Sequence, residues 1–202
     1  MIVGPKLVFA LLIFMLPKII MQDYGEDAPF GIYIAIAPCC ILIFLWVVAP
    51  LQNNYDPYDL ILLGAAIATI GPIPMFFGMN IWDFLIFILI ISFAEALYSP
   101  MLNVFTFAFT KPGREGTFLT LTAAPIYFTM AVTGLLGGYL LENYYPVEED
   151  EKHHKQPWVI WLTIITISAI STIILFVFRK YFDCADEGVD EEDDSLKSKM
   201  GS

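Results

Sequence analysis

Long apolar runs separated by short polar segments dominate the chain. The runs occupy residues 2–21, 31–50, 60–79, 83–109, 117–141 and 157–178. Each is close to the ~20 residues that an α-helix needs to cross the hydrocarbon core of a bilayer. Helices satisfy their own backbone hydrogen bonds inside lipid, whereas the strands of a membrane barrel would alternate apolar and polar positions. The pattern therefore predicts an all-α, polytopic membrane protein with about six transmembrane helices.

Two of these runs contain residues that disturb a helix. Gly71-Pro72-Ile73-Pro74 lies within the third run and removes backbone donors, so we expect a kink or an unwound turn there. The fourth run is long and contains Pro100. Both features are typical of the broken helices of transporters, but prolines are also tolerated in ordinary membrane helices. The pattern alone leaves both interpretations open.

Charge is scarce and segregated, which excludes a soluble domain. Only 15% of the residues are charged and 58% are apolar. Much of the net charge of −11 comes from eight acids between Asp183 and Asp194 and from the run Glu148–Glu151. We therefore divide the chain into a transmembrane domain, residues 1–182, and an acidic C-terminal tail, residues 183–202. The tail composition favours either disorder or docking to a basic partner. No basic, aromatic segment indicates nucleic-acid binding.

The loop charges predict an orientation. With short loops, the helix ends must alternate between the two membrane surfaces. One surface collects four Lys or Arg residues close to the spans and the other collects two. The first group is Lys111, Arg114, Arg179 and Lys180, and the second is Lys152 and Lys155. Because positive loops stay inside, both termini are predicted on the cytoplasmic side, or on the matrix side of a mitochondrial membrane.

Glu95 is the only acidic residue deep within an apolar run. A carboxylate there costs a few kcal/mol if it is ionised, so it should face the bundle interior, find a partner or stay protonated. Ser92, Ser99 and Asn103 follow the same helical face and predict one polar stripe. The stripe is a candidate site for a proton or a substrate amine. A buried hydrogen bond between helices explains it equally well.

The sequence does not indicate a basic partner for Glu95 in the first helix. Lys6 and Lys18 lie near the two ends of the run 2–21, where long side chains can extend to the membrane surface. We therefore expect both to lie at the interfaces and neither to serve as a buried counter-ion for Glu95.

Small residues recur on one face of the fifth run. Ala131, Gly134 and Gly138 stand at helical spacing, and the two glycines form a G-x-x-x-G motif. Small faces let helix backbones approach closely in lipid, so this face predicts helix packing.

Nothing in the sequence indicates a cofactor, a metal centre or an enzyme. Cys39 and Cys40 are adjacent within a span, and Cys184 follows the last one, so all three are interpreted as buried small side chains. His153 and His154 lie in an acidic loop, where solvation is the expected state. No nucleophile arrangement or phosphate-binding loop is present.

A series of motifs resembles the C-terminal six-helix half of the major facilitator superfamily, in the form that protist-type members have. The motifs follow one another along most of the chain. They are Leu16-Pro17-Lys18, Tyr24-Gly25-Glu26-Asp27-Ala28-Pro29-Phe30-Gly31, Phe93-Ala94-Glu95-Ala96-Leu97-Tyr98-Ser99-Pro100, Lys111-Pro112-Gly113-Arg114-Glu115-Gly116-Thr117-Phe118, Ala124-Pro125, Gly134 to Leu141 and Tyr145-Pro146. The segment around Glu95 is also similar to the tenth helix of proton-coupled oligopeptide transporters, where the resemblance implies contact with a peptide amine.

The same resemblance also shows departures. Members have twelve helices and hold substrate between two six-helix halves, whereas one half is identified here. Lys6 stands where the family has a basic residue, but Ala10, Leu11 and Ile13 stand where basic, histidine and acidic residues are expected. Function does not follow from fold when site residues are absent.

These departures favour a transporter-derived structural subunit that associates with other membrane proteins in a larger complex. The alternative is an active half-size proton-coupled solute transporter, working as a homodimer or heterodimer. By analogy with large organellar complexes, the mitochondrial inner membrane is the predicted location.

Overall fold

The part of the chain that the structure describes forms seven α-helices, which account for six membrane spans. A computed structural model describes residues 3–25, 30–78, 80–108, 110, 115–146 and 155–200. The helices are α1 Val3–Tyr24, α2 Phe30–Asn54, α3 Pro57–Ile70, α4 Ile73–Phe77, α5 Ile81–Ala108, α6 Glu115–Tyr144 and α7 Pro157–Met200. No strand occurs in these ranges. The all-α, six-span prediction is confirmed, because six segments are long and apolar enough to cross a membrane.

The third span is interrupted where the prolines predict it. It extends over Pro57–Phe77 and consists of α3 and α4. The break occurs at Gly71 and Pro72, where the Gly71 amide still donates to the Ile67 carbonyl at 3.0 Å and Pro72 has no amide hydrogen to continue the ladder. Pro100 has no such effect, since α5 runs through it from Ile81 to Ala108. Of the two candidate broken helices, only the third span is broken.

Helix α5 lies at the centre of the bundle. Phe84, Phe87, Ile88 and Ile91 are almost fully buried along it. The Phe87 ring meets Trp161 of α7 edge-on, with the ring centroids 5.6 Å apart. Because lipid tails are as apolar as these side chains, this core is held by packing and dispersion and not by a hydrophobic drive.

Two glycines lie at close contacts between helices. At Gly64 of α3, an added Cβ would lie 2.9 Å from the Tyr98 Cβ and 3.1 Å from the Ala94 carbonyl oxygen, both on α5. At Gly137 of α6, it would lie 3.2 Å from the Met15 Cγ of α1. Glycine thus brings α3 against the backbone of α5, and α6 against a flexible side chain of α1.

Polar contacts join α3 to α7 along their length. The Thr69 hydroxyl lies 2.9 Å from that of Ser168 and 3.0 Å from that of Thr172. The Tyr58 hydroxyl donates to the Leu175 carbonyl at 2.5 Å. Such bonds between helices in lipid contribute ~0.6 kcal/mol each on average.

A second set of polar contacts lies where α1 and α6 end and α7 begins. Tyr145, after α6, donates its hydroxyl to the Asp23 carboxylate of α1. Lys155 lies 3.4 Å from the same carboxylate and 4.9 Å from the Tyr145 ring centroid. These residues hold the ends of α1, α6 and α7 together.

The backbone of α7 continues as a helix beyond the last span, which ends at Arg179, to Met200. Most of the segment assigned to the acidic tail is thus an extension of this helix. Its docking to a basic partner stays a prediction.

Candidate functional site

Glu95 lies near the middle of α5 and is buried. The residue is 7% exposed, and α5 extends more than three helical turns beyond it in each direction. This depth is what the position of Glu95 within its apolar run predicts.

The ammonium group of Lys6 pairs with this carboxylate. The Lys6 Nζ lies 2.5 Å from the Glu95 Oε1 and 3.4 Å from the Ser99 Oγ. It also lies 5.1 Å from the centroid of the Tyr98 ring. The Lys6 and Glu95 side chains are only 15% and 10% exposed. The pair thus joins α1 to α5 and is largely buried within the bundle.

Tyr98 completes the cluster by donating its hydroxyl to the second carboxylate oxygen, Oε2. Glu95, Tyr98 and Ser99 meet because residues three and four apart lie on one face of a helix. Tyr98 itself is 1% exposed and is held from behind by the close approach of Gly64. Both carboxylate oxygens therefore have a donor, and the two charges cancel.

The expectation that Lys6 does not serve as a counter-ion for Glu95 is wrong. Lys6 lies within the bundle because the buried Glu95 carboxylate offers it a partner of opposite charge. Pairing removes the cost of leaving either charge alone in lipid. One sequence signal could have found this. Lys6 is where the resembled family has a basic residue, and intramembrane acids usually pair with another charge.

The four residues of the predicted polar stripe on α5 do not form a single site. The Ser92 hydroxyl is fully buried and donates to the Ala37 carbonyl of α2 at 3.2 Å, so it fixes a different helix. Asn103 lies on the exposed surface of α5. Of the four stripe residues, only Glu95 and Ser99 come together with Lys6. Tyr98 is the member that the stripe did not include.

The predicted packing face of α6 is open in the part of the chain that the structure describes. Ala131, Gly134 and Gly138 are all exposed, and a Cβ added at either glycine would have no neighbour within 4 Å. Gly137, which faces α1, makes the close contact instead. The expectation is therefore wrong for contacts among the described residues, because the G-x-x-x-G spacing fixes a helix face but not what that face meets. Packing against another protein stays a prediction.

The described residues offer no arrangement for metal binding. No group of three or more His, Cys, Asp or Glu side chains converges within them. Cys39 and Cys40 are free thiols, and Cys39 is exposed on α2, contrary to the interpretation as a buried small side chain. His153 and His154 lie outside the described residues.

These features define an integral membrane protein of transporter type: six helical spans, a broken third span and an ion pair within the membrane. The family model of the Major Facilitator Superfamily matches residues 7–198. The chain thus belongs to the major facilitator superfamily, whose members are generally transporters and not enzymes, and six spans are the size of one half of such a fold. No curated protein and no solved structure matches it.

Proposed function

We propose that this chain is a transporter-derived, non-transporting subunit that helps to build a larger membrane protein complex. The observation that carries the proposal is the closed Lys6–Glu95–Tyr98 cluster, in which each carboxylate oxygen already has a donor and the ammonium group already has an anion. In this role the cluster ties α1 to α5 and has no transported partner. The proposal includes no cofactor and no enzymatic activity.

The geometry of the cluster supports a structural role. A carboxylate that accepts a proton or a substrate amine must exchange one partner for another during its cycle. Here both present partners of the Glu95 carboxylate are side chains of the protein, Lys6 and Tyr98. The buried Tyr98 cannot move away without disturbing its contact with Gly64. Separating the ions would leave two unpaired charges in a medium where each costs several kcal/mol.

The unpartnered face of α6 supports association with other membrane proteins. Ala131, Gly134 and Gly138 present a surface that a neighbouring helix could approach closely, and none of the described helices occupies it. The acidic extension of α7 would meet a basic partner outside the membrane.

A second candidate function is an active half-size, proton-coupled transporter, working as a homodimer or heterodimer. One observation favours it. Ionisable residues within membrane spans are often proton relays or substrate sites, and Glu95 is such a residue. In this case Lys6 would release Glu95 during each cycle.

The proposed complex is placed in the mitochondrial inner membrane, with both termini on the matrix side; in a plasma membrane they would be cytoplasmic. Tagging each terminus and testing its accessibility to protease in sealed vesicles would measure the orientation. Equal protection of the two ends is expected, because six spans return the chain to the side where it started.

Reconstitution distinguishes the two functions. The purified chain would be placed in liposomes that contain a pH-sensitive dye, and solutes would be added outside at acidic pH, starting with di- and tripeptides. We expect no solute-dependent acidification with the native chain, whatever residue occupies position 95. Acidification that Glu95→Gln abolishes, and that the exposed-carboxylate control Glu142→Gln retains, would instead establish transport. Gel filtration of each variant would verify that it is folded.

A further inference from the structure

Pro100 deprives one carbonyl of α5 of its usual donor. In an α-helix each carbonyl accepts from the amide four residues later, and proline has no amide hydrogen. The carbonyl affected by Pro100 is that of Ala96, which is fully buried in the bundle. A buried carbonyl without a donor is unfavourable, because its lost hydrogen bonds to water are not replaced. Ala96 therefore needs a donor from elsewhere in the bundle.

Gln52 of α2 provides that donor. Its Nε2 lies 3.3 Å from the Ala96 carbonyl oxygen, and the residue is partly buried. Val48, one helical turn before Gln52, belongs to the same buried cluster as Leu97 and Met101 of α5. The packing of α2 on α5 thus brings the Gln52 amide to the turn of α5 where a backbone donor is missing.

The third span offers a comparison. Pro72 removes the donor of the buried Ala68 carbonyl, and with Gly71 before it and Pro74 after it the helix breaks. In α5 a single proline affects a buried carbonyl, and the helix continues without a break. Prolines are tolerated in membrane helices where a neighbouring helix satisfies the backbone group that they leave free. In α5 that neighbour is α2.

We propose that Gln52 is a lock on α5: its amide replaces the backbone hydrogen bond that Pro100 removes, and it resists a bend of the helix at this proline. Prolines are among the usual sites of sharp helix kinks. A glutamine suits the role because its amide has two donor hydrogens and brings no charge into the membrane. The lock goes beyond the proposed function, since it operates whether or not the chain transports a solute.

The lock positions the buried ion pair. The locked turn, residues 96–100, begins directly after Glu95 and includes Ser99. Both of these side chains lie within hydrogen-bonding distance of the Lys6 ammonium. A bend within this turn would change the distance between the Glu95 carboxylate and the Ser99 hydroxyl. Gln52 is thus a positioning residue, which acts on the ion pair through the backbone of α5.

A double-variant cycle in melting temperature tests the lock. Gln52→Met keeps the length of the side chain and removes its donor, so it should lower the melting temperature of the full chain in detergent by about 5 °C. Pro100→Ala restores an amide hydrogen at position 100, and in that background Gln52→Met should have little effect. Gln22→Met is the matched control. The Gln22 side-chain oxygen has no hydrogen-bond partner among the described residues, so this variant should not lower the melting temperature.

NMR of the Ala96 carbonyl observes the hydrogen bond itself. Alanine labelled at the carbonyl carbon and leucine labelled at the amide nitrogen mark, as bonded pairs, only Ala10-Leu11 and Ala96-Leu97. Gln52→Met should move the Ala96 carbonyl resonance upfield. The Ala10 resonance should stay in place, because Ala10 lies within α1 and the residue four positions later has an amide hydrogen. In the Pro100→Ala background, Gln52→Met should move neither resonance.

The outcomes separate the lock from a merely structural contact. A Gln52→Met chain that fails to fold, while the same chain with Pro100→Ala folds, would also support the lock. Failure of both chains to fold would overturn it. So would a Gln52→Met chain that melts with the native chain, a loss that Pro100→Ala leaves undiminished, or an Ala96 resonance that Gln52→Met does not move. None of these measurements depends on transport or on assembly with other proteins.

Discussion

Lys6→Met should lower the free energy of unfolding by about 3 kcal/mol, since removing one partner of a buried ion pair leaves the other charge uncompensated. The 2.5 Å contact between Lys6 and Glu95 is sheltered within the bundle. Tyr98 still donates to the carboxylate in this variant, so the loss falls at the lower end of the range for buried pairs. Unfolding in detergent by a graded denaturant, followed by circular dichroism, would measure it.

A double variant distinguishes the contribution of the Lys6–Glu95 ion pair to stability from that of side-chain packing. Lys6→Met with Glu95→Gln retains similar volumes, keeps an acceptor for Tyr98 and contains no buried charge. We expect it to be more stable than either single variant, with a coupling of about 2 kcal/mol. Lys18→Met, at the exposed far end of the same helix, is the control and should be nearly neutral. Single variants as stable as the native chain would show that the pair does not hold α1 to α5.

Gly64→Val is expected to destabilise the bundle by about 3 kcal/mol, because it overpacks a contact between two helix backbones. A Cβ at this position would lie 2.9 Å from the Tyr98 Cβ and 3.1 Å from the Ala94 carbonyl oxygen. Neither atom can turn away, so α3 and α5 must separate. The displacement would also move Tyr98, which holds Glu95.

A matched glycine substitution on α6 gives the opposite expectation. Gly134→Ala meets no neighbour, so the isolated chain should be as stable as before or gain up to ~1 kcal/mol from helix propensity. Thermal melting of both variants in the same detergent would compare them. A Gly64 variant that melts with the native chain would contradict the close approach of α3 and α5.

The spans were predictable because length and apolarity are local properties of the chain. The break at Gly71 and Pro72 was predictable for the same reason, since a missing amide hydrogen acts within its own turn. The burial of Glu95 also follows from its position within an apolar run. These features need no knowledge of how the helices pack.

The partners of each helix face could not be predicted in this way. Lys6 and Glu95 are 89 positions apart, and only the packing of α1 on α5 brings them together. At Gly64 and Gly134, the sequence motif and the observed contact disagree. Gly64 lies outside any G-x-x-x-G motif and makes a close backbone contact, whereas Gly134 lies within one and meets no neighbour among the described residues. Spacing identifies a face, and only tertiary structure identifies its neighbour.

The size and composition of the native assembly test the proposed subunit most directly. A tagged chain would be isolated from its own membranes in mild detergent, weighed by native mass spectrometry and its partners identified by peptide sequencing. We expect a complex that contains other membrane proteins, that retains the Lys6→Met/Glu95→Gln chain, and that loses the chain when Gly134→Leu fills the open α6 face. Isolation of the native chain alone, or only with copies of itself, would contradict the account.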